Sequence, residues 1–88
     1  MRRLDLTKRA RKFLDTLPPK QFRQVVRKIF DLLKDPEPHD SSPLKGHNYL
    51  RADVGEYRII YRFDTDTVWI AVVGKRNDSE VYRALRGL

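Results

Sequence analysis

The chain has 88 residues, 40% of them hydrophobic, which is enough for one small domain spanning 1–88 and excludes a second. Its 19 Lys and Arg residues outnumber its 12 Asp and Glu residues, and the net charge of +7 favours a polyanionic partner such as RNA, DNA or an acidic protein segment. It contains no cysteine, which excludes disulfides, and neither a membrane-length apolar run nor a signal peptide, so we expect a cytoplasmic protein without membrane association.

The N-terminal half has the pattern of a short strand followed by two helices. Residues 2–6 alternate in a way that favours an edge strand. Thr7 is suited to cap a helix that ends before Pro18, and Pro19 fits the first turn of a second helix that stops at Asp35. The tight connection predicts two antiparallel helices. Their apolar stripes consist of Ala10, Phe13, Leu14 and Leu17, and of Phe22, Val25, Val26, Ile29 and Leu33.

The C-terminal half predicts a sheet and a final helix. Segment 37–43, rich in Pro, Ser and Asp, is predicted to be a loop. Three runs dense in β-branched and aromatic residues follow it, and a short link at 64–66 predicts that the last two form a hairpin. Asn77 and Glu80 have the spacing of a helix-capping pair, which predicts a short C-terminal helix. The three runs span 47–54, 56–63 and 67–73.

Helices followed by strands indicate an α+β fold. We predict two N-terminal antiparallel helices packed on one face of a small, mainly antiparallel sheet of about four strands, with a short C-terminal helix. Side chains alternate along a strand, so the odd-numbered apolar residues of 57–63 are expected to face the helices. Arg58 then lies on the opposite face, which we expect to be open; a shift of one residue would reverse this.

Several kinds of chemistry are excluded by the residues available. The two histidines, His39 and His47, lack the partners and spacing of a metal site, and no cofactor is predicted. The chain has no Gly-rich phosphate loop, and its serines lack a nearby base for nucleophilic catalysis. Arginine, lysine and tyrosine chemistry therefore remains, and it suits a phosphodiester because the planar arginine side chain matches two phosphate oxygens.

Two segments carry a specific resemblance. GEYRIIY at 55–61 and VGKRNDSEVYRAL at 73–85 resemble the RelE-type ribosome-dependent mRNA interferases, the toxins of bacterial and archaeal toxin–antitoxin pairs. The resemblance extends from the first predicted helix to the C-terminus, although only the C-terminal half carries specific motifs. It implies that Arg58 contacts the scissile phosphate, that Arg76 balances charge on the phosphate and the leaving oxygen, and that Tyr82 takes the proton of the attacking ribose 2′-hydroxyl.

The residues taken alone leave alternatives for these roles. Arg58 could be a solvated strand residue paired with Glu56 or Asp53, Arg76 could cap the sheet edge, and Tyr82 could pack its ring into the core. A free phenol has a pKa of about 10, so a tyrosine acts as a base at neutral pH only where cations stabilise the phenolate. Both Arg76 and its neighbour Lys75 could supply that charge.

The sequence also departs from the family pattern. Where the best-known members carry two lysines on the strand before the catalytic arginine, this chain has Tyr49 and Arg51. Arg51 keeps one positive charge, whereas Tyr49 could stack on a base or serve as an alternative proton acceptor. We predict RNA contacts for these two residues and for Lys45 and Lys75, with surface solvation as the alternative for Lys45.

The resemblance therefore implies a toxin that is a metal-independent endoribonuclease. It would cleave mRNA on the ribosome by attack of a 2′-hydroxyl on the adjacent phosphate and so inhibit translation. Its expected partners are a cognate antitoxin and mRNA on the ribosome, with DNA association only through the antitoxin complex. Two alternatives remain: a ParE-like inhibitor of DNA gyrase without nuclease activity, and a non-catalytic antitoxin-binding module that acts in transcriptional autoregulation.

Overall fold

A computed structural model describes residues 1–77 and 80–86 of the chain. These residues form a mixed α+β fold, in which the five strands of the sheet lie in the order β1-β5-β4-β3-β2. Strand β1 is parallel to β5, and the other neighbours are antiparallel. No helix among these residues is long and apolar enough to cross a membrane. In chain order the elements are β1 (Arg3–Leu6), α1 (Lys8–Asp15), α2 (Pro19–Lys34), β2 (Ser41–Pro43), β3 (Leu50–Val54), β4 (Tyr57–Phe63), β5 (Thr67–Lys75) and α3 (Glu80–Leu85).

The sheet has one strand more than the sequence predicted. The additional strand, β2, lies inside the segment 37–43 that was predicted to be a loop, and it pairs with β3 at the sheet edge. Its sequence, Ser-Ser-Pro, has no apolar alternation that would indicate a strand. It can nevertheless form an edge strand, because an edge strand can be held by backbone pairing alone and tolerates proline. The mainly antiparallel character of the sheet is confirmed, and β1 is its single parallel strand.

Local signals set the start of α1 and both ends of α2 as predicted, whereas α1 ends at Asp15, before the predicted stop at Pro18, so that Leu17 lies outside the helix. The Thr7 hydroxyl oxygen accepts a hydrogen bond from the Ala10 N–H at 3.1 Å and donates one to the carbonyl of Ala71 in β5 at 2.6 Å. Thr7 therefore caps α1 and fastens it to the sheet. Helix α2 begins with Pro19 and ends at Lys34, one residue before its C-cap Asp35.

One sheet face, the helix face, packs against α1 and α2. The alternation predicted for β4 is confirmed, because Tyr57, Ile59 and Tyr61 are buried in this core. The Tyr61 hydroxyl donates to the Pro36 carbonyl at 2.6 Å, and burial raises the pKa of Tyr61 to about 12. The helices contribute Ala10, Leu14, Val25, Ile29, Leu32 and Leu33, and the sheet adds Ala52, Val68, Ile70 and Val73.

The opposite face, the α3 face, is only partly open, so the expectation of an uncovered face is wrong. A second apolar cluster lies there beneath α3. A β-bulge helps to form it: Ile60 pairs with Val72 while Tyr61 pairs with Ile70, so that both Ala71 and Val72 belong to this cluster. The cluster consists of Leu44, Ile60, Ala71, Val72, Val81, Ala84 and Leu85.

Helix α3 rests directly on the backbone of β5. A Cβ atom at Gly74 would lie 2.5 Å from Cγ2 of Val81, so the glycine is required for this close approach. The predicted final helix is confirmed over Glu80–Leu85. The predicted capping pair of Asn77 and Glu80 depends on the Glu80 side chain, which lies outside the described part of the structure.

Candidate functional site

Arg58 lies on the α3 face beside the hairpin that joins β3 and β4. Gly55 has φ of 56° and is the first of two loop residues, as in a type II′ turn. This turn sets Asp53 opposite Arg58. The Arg58 side chain donates two hydrogen bonds to the Asp53 carboxylate, from Nε to Oδ1 at 2.7 Å and from Nη2 to Oδ2 at 3.2 Å. The pairing with Asp53, one of the alternatives left by the sequence, is therefore present.

The same guanidinium also reaches Tyr82 on α3. Arg58 Nη1 donates to the Tyr82 hydroxyl, and the guanidinium carbon lies 6.0 Å from the ring centroid. Tyr82 is 37% exposed, whereas its neighbour Val81 is buried in the second cluster. Tyr82 is thus not a core residue, and its hydroxyl oxygen accepts a hydrogen bond from the Arg58 cation.

Asp53 and Arg58 shift each other's pKa values. The hydrogen bond from Arg58 lowers the pKa of Asp53 below its ordinary value, and the positive charges of Arg58, Arg51 and Arg76 lower it further. The bond to Asp53 raises the pKa of Arg58, and Tyr82 adds to that effect. A guanidinium has five N–H groups. These contacts engage three of them, at Nε, Nη1 and Nη2, so Arg58 keeps donors for a further oxygen ligand.

Arg76 and Lys75 lie at the end of β5, at the same edge of the sheet. The Arg76 N–H donates to the Glu56 carbonyl at 2.9 Å, which joins the end of β5 to the β3–β4 turn. Both side chains are exposed and line a shallow concavity together with Gly55 and Glu56. Arg76 is close enough to lower the pKa of Asp53, but within the described residues its side chain makes no hydrogen bond to Arg58 or Tyr82.

The remaining predicted RNA contacts surround this centre on the β3 side. Arg51 lies two residues from Asp53 on β3, and its Nε donates to Ser42 Oγ of β2 at 2.9 Å. Tyr49 is half-buried and packs against the second apolar cluster. Lys45 is exposed in the turn between β2 and β3. The structure therefore brings Arg58, Tyr82 and Asp53 into contact, places Arg51 and Arg76 within electrostatic range of them, and leaves Lys45 at the rim.

Sequence reasoning missed two contributors to this centre. Gly74 pairs with Arg58 across β4 and β5 and allows α3 to approach, which carries Tyr82 to Arg58. Its signal in the sequence is an isolated glycine in an apolar strand, which often marks a close approach of another segment. Ser42, which holds Arg51, lay in the predicted loop. Among the described residues, no group of three or more His, Asp or Glu side chains is arranged to hold a metal ion.

Known proteins are similar to this chain in sequence and fold. Residues 4–80 match the family described as the ParE toxin of the type II toxin–antitoxin system parDE. A chain of the RelBE2 toxin–antitoxin complex from Mycobacterium tuberculosis is 34% identical, with a TM-score of 0.74 over 85% of this chain and 98% of that chain. The protein belongs to the RelE/ParE family of toxins. The family predicted from segments 55–61 and 73–85 is thereby confirmed.

Two further members of this toxin family show the extent of the match. A double mutant of the Escherichia coli toxin RelE in the free state is 26% identical, with a TM-score of 0.79 over 99% of this chain and 97% of that chain. A chain of the archaeal RelE–RelB complex from Pyrococcus horikoshii OT3 is also 26% identical, with a TM-score of 0.74 over 85% of this chain and 94% of that chain. No protein of curated function matches the sequence.

Proposed function

We propose that this RelE/ParE toxin is a metal-independent endoribonuclease that cuts mRNA on the ribosome and thereby inhibits translation. The observation that supports it most is the contact of Arg58 with the Tyr82 hydroxyl. A cation that can bind a phosphate and a phenol that can accept a proton are held side by side on an exposed face. Metal-free cleavage next to a ribose 2′-hydroxyl requires this pair of functions.

In the proposed reaction Tyr82 reacts as the phenolate: the ribose 2′-oxygen attacks the adjacent phosphorus, and its proton passes to the Tyr82 oxygen, which becomes the neutral phenol and later returns that proton to solvent. Arg58 binds the non-bridging oxygens, whose negative charge grows in the transition state. The bond between the phosphorus and the 5′-oxygen breaks. Arg76 balances the negative charge on that leaving oxygen, which takes a proton from solvent. The products are a 2′,3′-cyclic phosphate and a 5′-hydroxyl. Arg51, Lys75, Lys45 and Tyr49 hold the RNA on either side.

Asp53 is a positioning residue in this scheme. Its two-point contact fixes the plane of the Arg58 guanidinium before RNA arrives, which reduces the reorganisation required during the reaction. The Asp53 carboxylate also weakens the attraction of the site for a phosphate, because its negative charge partly offsets the positive charge of Arg58. The neighbouring cations Arg51 and Arg76 compensate for this offset and keep the site attractive to a phosphate.

A cognate antitoxin is the proposed protein partner. Several structural relatives are toxin–antitoxin complexes, including the intact Escherichia coli RelBE complex, which supports the same assignment here. The net charge of +7 suits an acidic antitoxin segment. Helix α3 has six residues and is held by a small cluster, so a segment that displaces α3 would separate Tyr82 from Arg58. A segment that covers the α3 face would instead block access to both residues, and either route would silence the toxin. DNA association is proposed only through that complex.

The second candidate is a ParE-like inhibitor of DNA gyrase, which the match to the ParE toxin family favours. Mapping RNA 5′ ends after brief induction in cells, together with a gyrase supercoiling assay, separates the two. New 5′ ends in translated messages, absent with Arg58→Ala, support the nuclease. Inhibited supercoiling with intact messages would favour the gyrase inhibitor over the nuclease. The absence of both effects would favour a non-catalytic module in transcriptional autoregulation.

In vitro, Arg58→Ala should slow single-turnover cleavage on programmed ribosomes by about 10²-fold or more, as expected for the loss of a preorganised charge-stabilising group. The fold should be retained, because Arg58 lies outside both apolar clusters. A folded Arg58→Ala protein that cleaves at the wild-type rate would remove this residue from the mechanism.

A further inference from the structure

A second aromatic and cationic pair lies on the α3 face, away from Tyr82. Arg62 of β4 is paired across the sheet with Trp69 of β5, and its guanidinium carbon lies 4.1 Å from the centroid of the indole ring. The corresponding distance between Arg58 and Tyr82 is 6.0 Å, so only the Arg62 pair is in close stacking contact. Arg62 is exposed and Trp69 is half-buried.

The packing leaves one side of the Arg62 guanidinium available. Asp64, the carboxylate in electrostatic range of Arg62, already accepts the backbone N–H groups of Asp66 at 2.8 Å and Thr67 at 2.9 Å. The indole ring lies under the guanidinium carbon at 4.1 Å, and the Arg62 side chain is exposed. An exposed guanidinium is a planar surface on which an unpaired nucleobase can stack.

The position of this pair connects it to the candidate cleavage site. Arg62 is on the same strand and the same face as Arg58, four residues further on, which corresponds to about 13 Å along a strand. Arg51 lies between them on the neighbouring strand, where it pairs with Ile60. Beyond Arg51, Tyr49 and Arg62 line one concavity beside the start of β3 and the end of β4.

The charges around the pair indicate from which side RNA would approach. On the β1 side, Asp5 is the register partner of Trp69 and is exposed, and the exposed Arg3 lies two residues away on the same face, so the two opposite charges offset each other there. On the β3 side lie Tyr49 and Arg51, which offer an aromatic ring and a cation. An RNA strand would therefore leave Arg58 along β3 and β4 and reach Arg62 from that side.

We propose that Arg62, supported by Trp69 and flanked by Tyr49, is a stacking subsite for an unpaired base of single-stranded RNA. A base lies on the outer face of the Arg62 guanidinium, and the connecting backbone passes Arg51 toward Arg58. This inference rests on the proposed ribonuclease function, which it extends by a substrate-positioning element outside the cleavage centre. Nothing at this subsite takes part in bond breaking.

The test separates stacking from charge. A fluorescently labelled RNA hexanucleotide, 2′-O-methylated throughout to prevent cleavage, is titrated with wild type, Arg62→Lys and Arg62→Ala. Arg62→Lys keeps the charge but removes the planar group, so the affinity should fall about tenfold, as expected for the loss of one stacked base. Arg27→Lys on the exposed side of α2 is the matched control and should change nothing. Equal binding by Arg62→Lys and wild type, or no binding by wild type, would overturn the subsite.

Trp69 provides an independent readout because it is the only tryptophan of the chain. Binding of the hexanucleotide should change its fluorescence emission, and an abasic ribose-phosphate chain of equal length should not. Equal responses to both ligands would show that no base is needed and would contradict the proposal. An Arg62→Lys variant that loses affinity for the antitoxin but not for RNA would assign this surface to a protein partner instead.

The outcomes also distinguish the subsite from the ribonuclease proposal. RNA binding that depends on Arg62, without cleavage by wild type on programmed ribosomes, would remove the nuclease and retain the subsite. Cleavage with RNA affinity unaffected by Arg62→Lys would retain the nuclease and remove the subsite. Thermal unfolding of each variant checks that the fold is intact. Substitution of Arg62 should leave the fold unchanged, because its side chain is exposed.

Discussion

The two faces of the sheet are built in different ways. The helix face is closed by α1 and α2 over a continuous apolar core, and most of its residues follow simple helical or strand periodicity. The α3 face divides into a small apolar cluster and a row of charged and aromatic side chains that includes Arg58, Arg62 and Tyr82. The larger apolar core therefore lies on the helix face, while the α3 face uses the six-residue helix α3 to complete the candidate site.

The largest expected effect concerns proton transfer on the α3 face. Tyr82→Phe removes only the hydroxyl that accepts from Arg58, so single-turnover cleavage should fall by about 10²- to 10⁴-fold. Tyr49→Phe is the matched control and should cost much less, because Tyr49 packs against the second cluster and not against Arg58. A large loss for Tyr49→Phe beside a near-normal rate for Tyr82→Phe would reverse the assignment.

The next effect tests which face holds the domain together. Ile29→Ala removes a side chain that is 2% exposed from the core under α2 and should lower the free energy of unfolding by about 2–5 kcal/mol. Leu85→Ala makes a comparable deletion on α3. We expect α3, which is held only by the smaller cluster, to open locally before the rest of the chain, so global unfolding in urea should change by less than about 1 kcal/mol. Cleavage should nevertheless fall with Leu85→Ala. Equal losses of global stability would contradict the comparison.

A smaller effect is expected where α3 meets β5. Gly74→Ala places a methyl group 2.5 Å from Val81 Cγ2 and should push α3 and Tyr82 away from Arg58. Overpacking of this kind costs about 1–3 kcal/mol, so we expect cleavage to fall by about tenfold or more. Val81→Ala in the same chain removes the opposing methyl groups and should restore part of the rate. An unrescued double mutant would point to a different role for Gly74.

The smallest effect is electrostatic. Because the pKa of Asp53 is lowered below its ordinary 3.8 in the folded protein, the ion pair with Arg58 stabilises the fold fully above about pH 4. Its contribution is lost as the pH falls through the lowered pKa. Asp53 is partly exposed, so the total should stay below about 1 kcal/mol. Urea unfolding of Asp53→Asn should show a smaller loss of stability below pH 4 than wild type, and identical profiles would contradict this.

Local signals in the sequence were sufficient for most of the secondary structure. Thr7 caps α1 with its side chain, and Pro19 fits the first turn of α2, where no N–H is needed. Asp35 ends α2 because a residue before a proline, here Pro36, favours an extended backbone. All three are properties of neighbouring residues. The alternation of 57–63 likewise identified which side chains of β4 are buried and placed Arg58 on the opposite face. The residues named for the site also lie on or beside that face, because the family motifs fall at fixed positions in these elements.

The tertiary structure decided what depends on pairing between distant segments. Strand β2 and the parallel position of β1 follow from backbone hydrogen bonds, which leave no pattern in the side chains. The bulge in β5 and the fit of α3 over Gly74 depend on register and on space between elements. The sequence alone therefore determined the family and the chemical groups available, whereas only the folded chain could bring Asp53, Arg58 and Tyr82 into contact, since they meet through strand register and helix packing.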